Sequence, residues 1–308
     1  MNTRGFTVVE LVVASAILVG ALAAVIAILH DGFVRTPTIH EAGDLQQRAR
    51  VAGEMLAGDL RAAGAGPGDP MSRHFPGVVP RTATAGATSA TADALTLRYV
   101  PPHAASSTLA EPLEPGAASA TIDLSPACPV RPPGCGFAAR TAAVVFDSEG
   151  NWDLVGIDGA DGGVLAISNI GAARSIVYPR GTRIAEALEI GYVFDPAVRA
   201  LRRVVGGTGF PLVDNVVFAR FEYLDESLSV VPLASFVDGP FRGTGSRAFD
   251  VDLLRVRMVR ATLRLDTGVD QLRGTDPFHF ARPGAARGTR VLPDVVVTVD
   301  AVFRNSVR

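Results

Sequence analysis

The sequence predicts an α+β protein, one long N-terminal helix packed on a mainly antiparallel β-rich body. Three observations carry this. An apolar run from Phe6 to Leu29 opens the chain. A four-and-three apolar spacing follows it as far as residue 63. Beyond residue 64 the recurrent signal is period-two alternation between turn residues. The composition suits a folded body with a real core: 308 residues, 48% hydrophobic, 19% charged, net charge −2. That balance argues against a disordered chain and against a basic nucleic-acid-binding domain, so no nucleic-acid partner is expected. Every basic residue is Arg, which we read as genomic base composition.

The first helix is read from GFTVVELVVASAILVGALAAVIAIL, Gly5 to Leu29. At 1.5 Å per residue, Phe6–Leu29 spans about 36 Å, enough for a hydrocarbon core of about 30 Å. Glu10 is its single charge. A bare carboxylate inside a bilayer is strongly penalised, so a partner for it must be sought. Arg4 precedes the span, and His30, Asp31 and Arg35 follow it, so flanking charge barely decides orientation. The leader MNTRG is short and polar, unlike a secretory signal with its own apolar stretch and cleavage site.

Gly32 and Pro37 are placed to bend or interrupt the helix. A second helical stretch then carries Leu45, Ala49, Ala52, Leu56, Leu60 and Ala63 as one apolar stripe. The run Gly64–Gly68 (GAGPG) ends it.

The body follows. Residues 65–125 are rich in Ala, Thr, Ser, Gly and Pro and read as loops around one strand, 94–100. Strands are then predicted over 141–147, 152–157, 163–168, 175–179, 190–196, 200–206, 215–225, 253–266 and 290–305. GGTGF at 206–210 reads as a turn between strands, and no comparable helical period appears after residue 64.

Few constellations carry chemistry. Cys128 and Cys135 frame a Pro-rich loop, CPVRPPGC. They read as a disulfide if the body lies outside the cytoplasm, and otherwise as two unrelated thiols. Asp147, Glu149, Asp153, Asp158 and Asp161 stand among glycines. Two readings stay open for them: hairpin turns, which use the same Asp-Gly chemistry, or an oxygen-rich Ca²⁺ loop without EF-hand spacing. No other cofactor is expected.

The five histidines are scattered, and neither a G-x-S-x-G elbow nor a Lys-bearing phosphate loop is present. Arg202, Arg203, Arg255, Arg257 and Arg260 alternate along predicted strands and read as a solvated sheet face, with contact to DNA or an anionic surface as the alternative.

Gly5, Phe6, Thr7, Val8, Val9 and Glu10, near residue 1 and opening an apolar helix, resemble the prepilin signal of type IV pilins and type II secretion pseudopilins. The resemblance implies a type IV pilin-like fold and cleavage by a prepilin peptidase between Gly5 and Phe6. It also implies N-methylation of Phe6 and an assembly ion pair between Glu10 of one subunit and the Phe6 amine of its neighbour. Such a pair would satisfy a carboxylate that low dielectric otherwise penalises. LQQRARVAGEMLAGDLRAAG, ending in Asp59, Leu60, Arg61, Ala63 and Gly64, resembles the large W-type minor pilins. It is similar, more distantly, to the J-type minor pseudopilins. GYVFDPAVRALRRVV and LVDNVVFARFEYLDE follow the same plan.

What the resemblance implies for organisation is a leader at 1–5, a membrane or filament-core helix at 6–29 and an amphipathic half at 30–64. A β-rich head at 65–308 follows, variable at about 65–135. The implied function is a structural minor pilin, not an enzyme, priming assembly of a type IV pilus at or near its tip, with adhesion or secretion roles. A minor pseudopilin of type II secretion is the alternative. A membrane-anchored periplasmic enzyme is a remote one, lacking a visible set of acid, base and nucleophile. The implied partners are other pilins through the N-terminal helix, the peptidase and the inner-membrane assembly platform. The implied location is the cytoplasmic membrane, single-pass with a periplasmic head, and then the pilus.

Overall fold

The computed structural model describes residues 7–66, 75–81, 94–124, 128, 134–170, 174, 176–244, 247–272 and 292–304. An N-terminal apolar helix is followed by antiparallel β-sheets, which is α+β in class. The helix, α1 (Val8–Ala62), runs 55 residues without a break through Gly32 and Pro37. The interruption that Gly32 and Pro37 could have imposed is absent, and the single long helix expected is what the structure shows. One proline removes a single backbone donor, and the many flanking turns keep the helical path. α1 ends ahead of Gly64, whose φ of 73° is the left-handed conformation that closes helices.

The chain divides into two compact units. One comprises Met1–Gln47 and Asp266–Val295, the other Arg48–Leu265 and Val296–Arg308. In the first, Val8–Leu29 forms a helix long and apolar enough to cross a membrane, with none of it buried. Further along it, the Glu41 carboxylate accepts hydrogen bonds from the Thr267 hydroxyl (2.8 Å) and the Gly268 N–H.

The second unit holds the sheets. Its strands are β1 (Val78–Arg81), β2 (Ala94–Tyr99), β3 (Ser106–Thr108), β4 (Ser119–Thr121), β5 (Thr141–Phe146), β6 (Trp152–Asp161) and β7 (Val164–Asn169). There follow β8 (Arg183–Asp195), β9 (Ala200–Val205), β10 (Thr208–Val213), β11 (Val216–Leu224), β12 (Phe241–Thr244), β13 (Arg247–Asp250), β14 (Met258–Leu265) and β15 (Val295–Val302). Ten form one sheet ordered β1-β2-β8-β5-β6-β7-β4, with β3 and β9 also on β8 and β10 on β9. β11-β14-β15 and β12-β13 form two smaller sheets.

β8 is long enough to serve two sets of neighbours. Its first half pairs with β3 and β5, its second with β2 and β9. β5 shows why a continuous apolar run, TAAVVF, suits an interior strand. Ala143 and Val145 enter one core with Ile157, Leu165, Tyr178 and Ile184, while Val144 enters another with Phe75, Trp152 and Leu154. Phe75 meets Trp152 edge to face, centroids 5.2 Å apart.

The predicted apolar stripe of α1 is buried throughout, from Leu45 through Ala49, Ala52, Leu56 and Leu60 to Ala63. Within the second unit, Gly53 lets β15 approach the helix closely: a Cβ there would stand 3.0 Å from Val297 Cγ1. Arg304 N–H donates to Ala63 C=O beyond the helix end.

Several expectations are corrected. The strand expected at 175–179 reduces to a bridge between Tyr178 and Leu113. The one expected over 253–266 begins at Met258, because Val251–Arg255 is a 3₁₀ turn capped by Asp250. Phe210 and Thr208, expected in a turn, lie in β10, so the turn is Gly206–Gly207 alone. Short strands also occupy the region read as loop, at 78–81, 106–108 and 119–121.

Candidate functional site

Gly5 and Phe6 lie outside the described residues, so the first candidate observed is Glu10. It stands in the first turn of α1 and forms a capping box with Thr7. Its Oε2 accepts from the Thr7 N–H (2.9 Å) and the Thr7 hydroxyl (3.0 Å), and Thr7 Oγ1 accepts from the Glu10 N–H (3.3 Å). The signature T-x-x-E was present in the sequence as Thr7 and Glu10.

The second feature was not foreseen. Asp59, on the helix, accepts from Tyr192 Oη (2.6 Å) on β8 and from Arg203 Nε (2.7 Å) on β9. Tyr192 and Arg203 are cross-strand partners, so the two donors converge on one carboxylate. The Arg203 side chain is 27% exposed, which corrects its reading as part of a solvated face. Burial, then the Asp59 bond, pushes the Tyr192 phenol above the usual range. The Asp59 bond likewise raises the Arg203 guanidinium. The arrangement clamps the C-terminal half of α1 to the sheet. The other arginines differ: Arg260 binds Asp300 through two nitrogens, and Arg255 reaches Asp252.

Cys128 and Cys135 are joined as a disulfide, Cα atoms 4.4 Å apart, and both pack against the core that contains Ile122 and Leu165. The five acids of 147–161 are not gathered into a cation site. Asp147 is a turn cap, accepting from the N–H groups of Glu149 and Asn151 and from the Asn151 side chain. Asp153 is buried on β6 and accepts from Tyr178 Oη (2.9 Å). Asp158 accepts from the Ser168 hydroxyl, and Asp161 ends β6. Asp147 thus fits the turn reading, while Asp153 and Asp158 each serve a separate hydrogen bond rather than one common point.

Among the described residues, one set of three acids does converge: Asp238, Asp250 and Asp252. Asp250 there accepts from the Gly239 and Asp252 N–H groups, which accounts for its position as a cap. No family model, curated protein or solved structure matches the chain.

Proposed function

We propose that the chain is a structural minor pilin of a type IV pilus, held by its apolar helix in the cytoplasmic membrane before assembly. The observation that carries the reading is the sequence Gly5–Glu10 opening a helix apolar enough to span a membrane. Two features support it. α1 continues from that span into a stripe of buried residues, and Asp59 ties this second half to the β-rich unit. A helix built this way offers an apolar half for a filament core and a polar, sheet-bound half for a surface head.

In this reading the subunit primes assembly at or near the filament tip, and its contacts with other subunits run through Val8–Leu29. The minor pseudopilin of type II secretion remains the second reading, since it uses the same motif and helix. Cleavage tests the common core of both. In cells with a prepilin peptidase, the wild-type chain should shift to a shorter form beginning at Phe6, read by immunoblot and N-terminal mass spectrometry. Gly5→Val should stay full length. A Gly5→Val chain processed like wild type would refute the assignment.

A further inference from the structure

On the sheet face that points away from Tyr192 lies a cleft of about 450 Å³ over β2, β5, β8 and β9. Alternation along β8 puts Ala187, Glu189 and Gly191 on this face and Ile190 and Tyr192 on the other. The cleft exists because its floor is built of small residues. Ala142 is paired with Ala187, and Gly191 sits between Thr96 and Val204. Nearby, the same layer is filled by Val144, Trp152 and Leu154, so the cleft begins where large side chains stop.

Three observations point to an occupant. Thr96 is only 2% exposed, lines the cleft, and its hydroxyl has no hydrogen-bond partner among the described residues. Buried hydroxyls without partners are uncommon because the lost hydration is not replaced. Arg140 stands exposed at the rim, and its guanidinium has no ion-pair or hydrogen-bond partner among the described residues. The other charges among the described lining residues are matched, Arg98 Nε lying 2.8 Å from Glu189 Oε2, so among the described residues Arg140 is the lining charge without a counter-charge. Finally, Ala142, Gly191 and Val204 are only half-buried. The floor is open to water, so a lone small molecule would keep one side wet. A segment carried on a larger partner brings its own cover.

From this we infer that the cleft receives an acidic, aliphatic peptide segment of a partner protein. Its carboxylate lies on Arg140, an acceptor oxygen meets the Thr96 hydroxyl, and an aliphatic side chain covers Ala142, Ala187 and Gly191. The inference stands independently of the filament reading, because none of these residues belongs to the N-terminal helix.

The test uses the full chain in detergent micelles and a fluorescein-labelled capped peptide, Ala-Val-Glu-Val-Ala, followed by fluorescence anisotropy. Saturable binding is expected. Replacing the peptide Glu by Gln, or Arg140 by Glu (Arg140→Glu), should weaken it about tenfold or more, the loss of one charge-assisted contact. Ala142→Leu should block it by filling the floor. Arg140 is at an exposed rim, so its variant tests the idea even if Ala142→Leu fails to fold. Binding unchanged in both variants, or no saturation, would overturn the proposal. Binding of free isovalerate in place of the peptide would overturn its assignment to a partner segment.

Discussion

Replacing Asp59 by Ala tests whether the helix clamp holds the second unit together. The substitution strands two donors. Tyr192 is fully buried, so its phenol O–H loses an acceptor that water cannot replace, at about 1–3 kcal/mol. Arg203 keeps 27% of its side chain exposed, so part of its charge is rehydrated and its share is discounted to about 1 kcal/mol. The sum is about 3 kcal/mol, and for a body of this size each kcal/mol moves Tm by about 2–4 °C. A fall of about 6–12 °C is therefore expected, read by circular dichroism of the full chain in detergent.

A second substitution sharpens the test. In Asp59→Ala with Tyr192→Phe, the orphaned hydroxyl is gone, so the double variant should be more stable than Asp59→Ala alone by about 1 kcal/mol. A loss under about 0.5 kcal/mol for Asp59→Ala, or no recovery in the double variant, would refute the argument that unsatisfied donors set the cost.

Two further outcomes are expected. Tyr178 and Tyr192 are held protonated above the usual range, first by burial and then by Asp153 and Asp59 respectively. Their folded-state pKa values are raised, so this stability is fully present below the ordinary phenol pKa of about 10. Above it, stability falls by about 1.4 kcal/mol per pH unit for each phenol. Tyrosinate absorbance for these two should thus appear only together with loss of the circular dichroism signal. Cys128→Ser should lower stability by about 2–3 kcal/mol, the loop-closure value for so short a ring, and dithiothreitol should reproduce the loss in the wild type and leave the variant unchanged.

How much of this was legible differs from element to element. The stripe Leu45–Ala63 was readable because helix period and burial coincide residue by residue. β11 was readable because Ala219, Phe221 and Tyr223 alternate with Phe218, Arg220 and Glu222. The first half of β8, RIAEALEI, was not. Ala, Glu and Leu favour helix, and only pairing with β3 and β5 makes the segment a strand. Asp153 stands close to other acids in the sequence, yet its place in WDLVGI among apolar residues is a sign of burial. The Asp59 clamp had no such sign, since Arg203 lies 144 residues away and its alternation suits either face of a sheet.

Glu10 has a local job in the structure and a distant one in the proposed function, and the two can be separated by chemistry. As a cap it accepts hydrogen bonds from Thr7, a task Gln performs nearly as well, since capping boxes use either residue. As half of an ion pair it needs its charge, which Gln lacks. The cap also places the carboxylate within hydrogen-bond reach of residue 7, one residue from the amine that cleavage before Phe6 would create. The capped geometry therefore holds the charge at the chain end without a second subunit, and assembly would exchange Thr7 for a neighbour's amine. In a filament-incorporation assay, Glu10→Ala and Glu10→Gln should both be cleaved normally and both fail to enter filaments. Rescue by Gln would mean that Glu10 acts through the cap alone, and the ion-pair argument would fall.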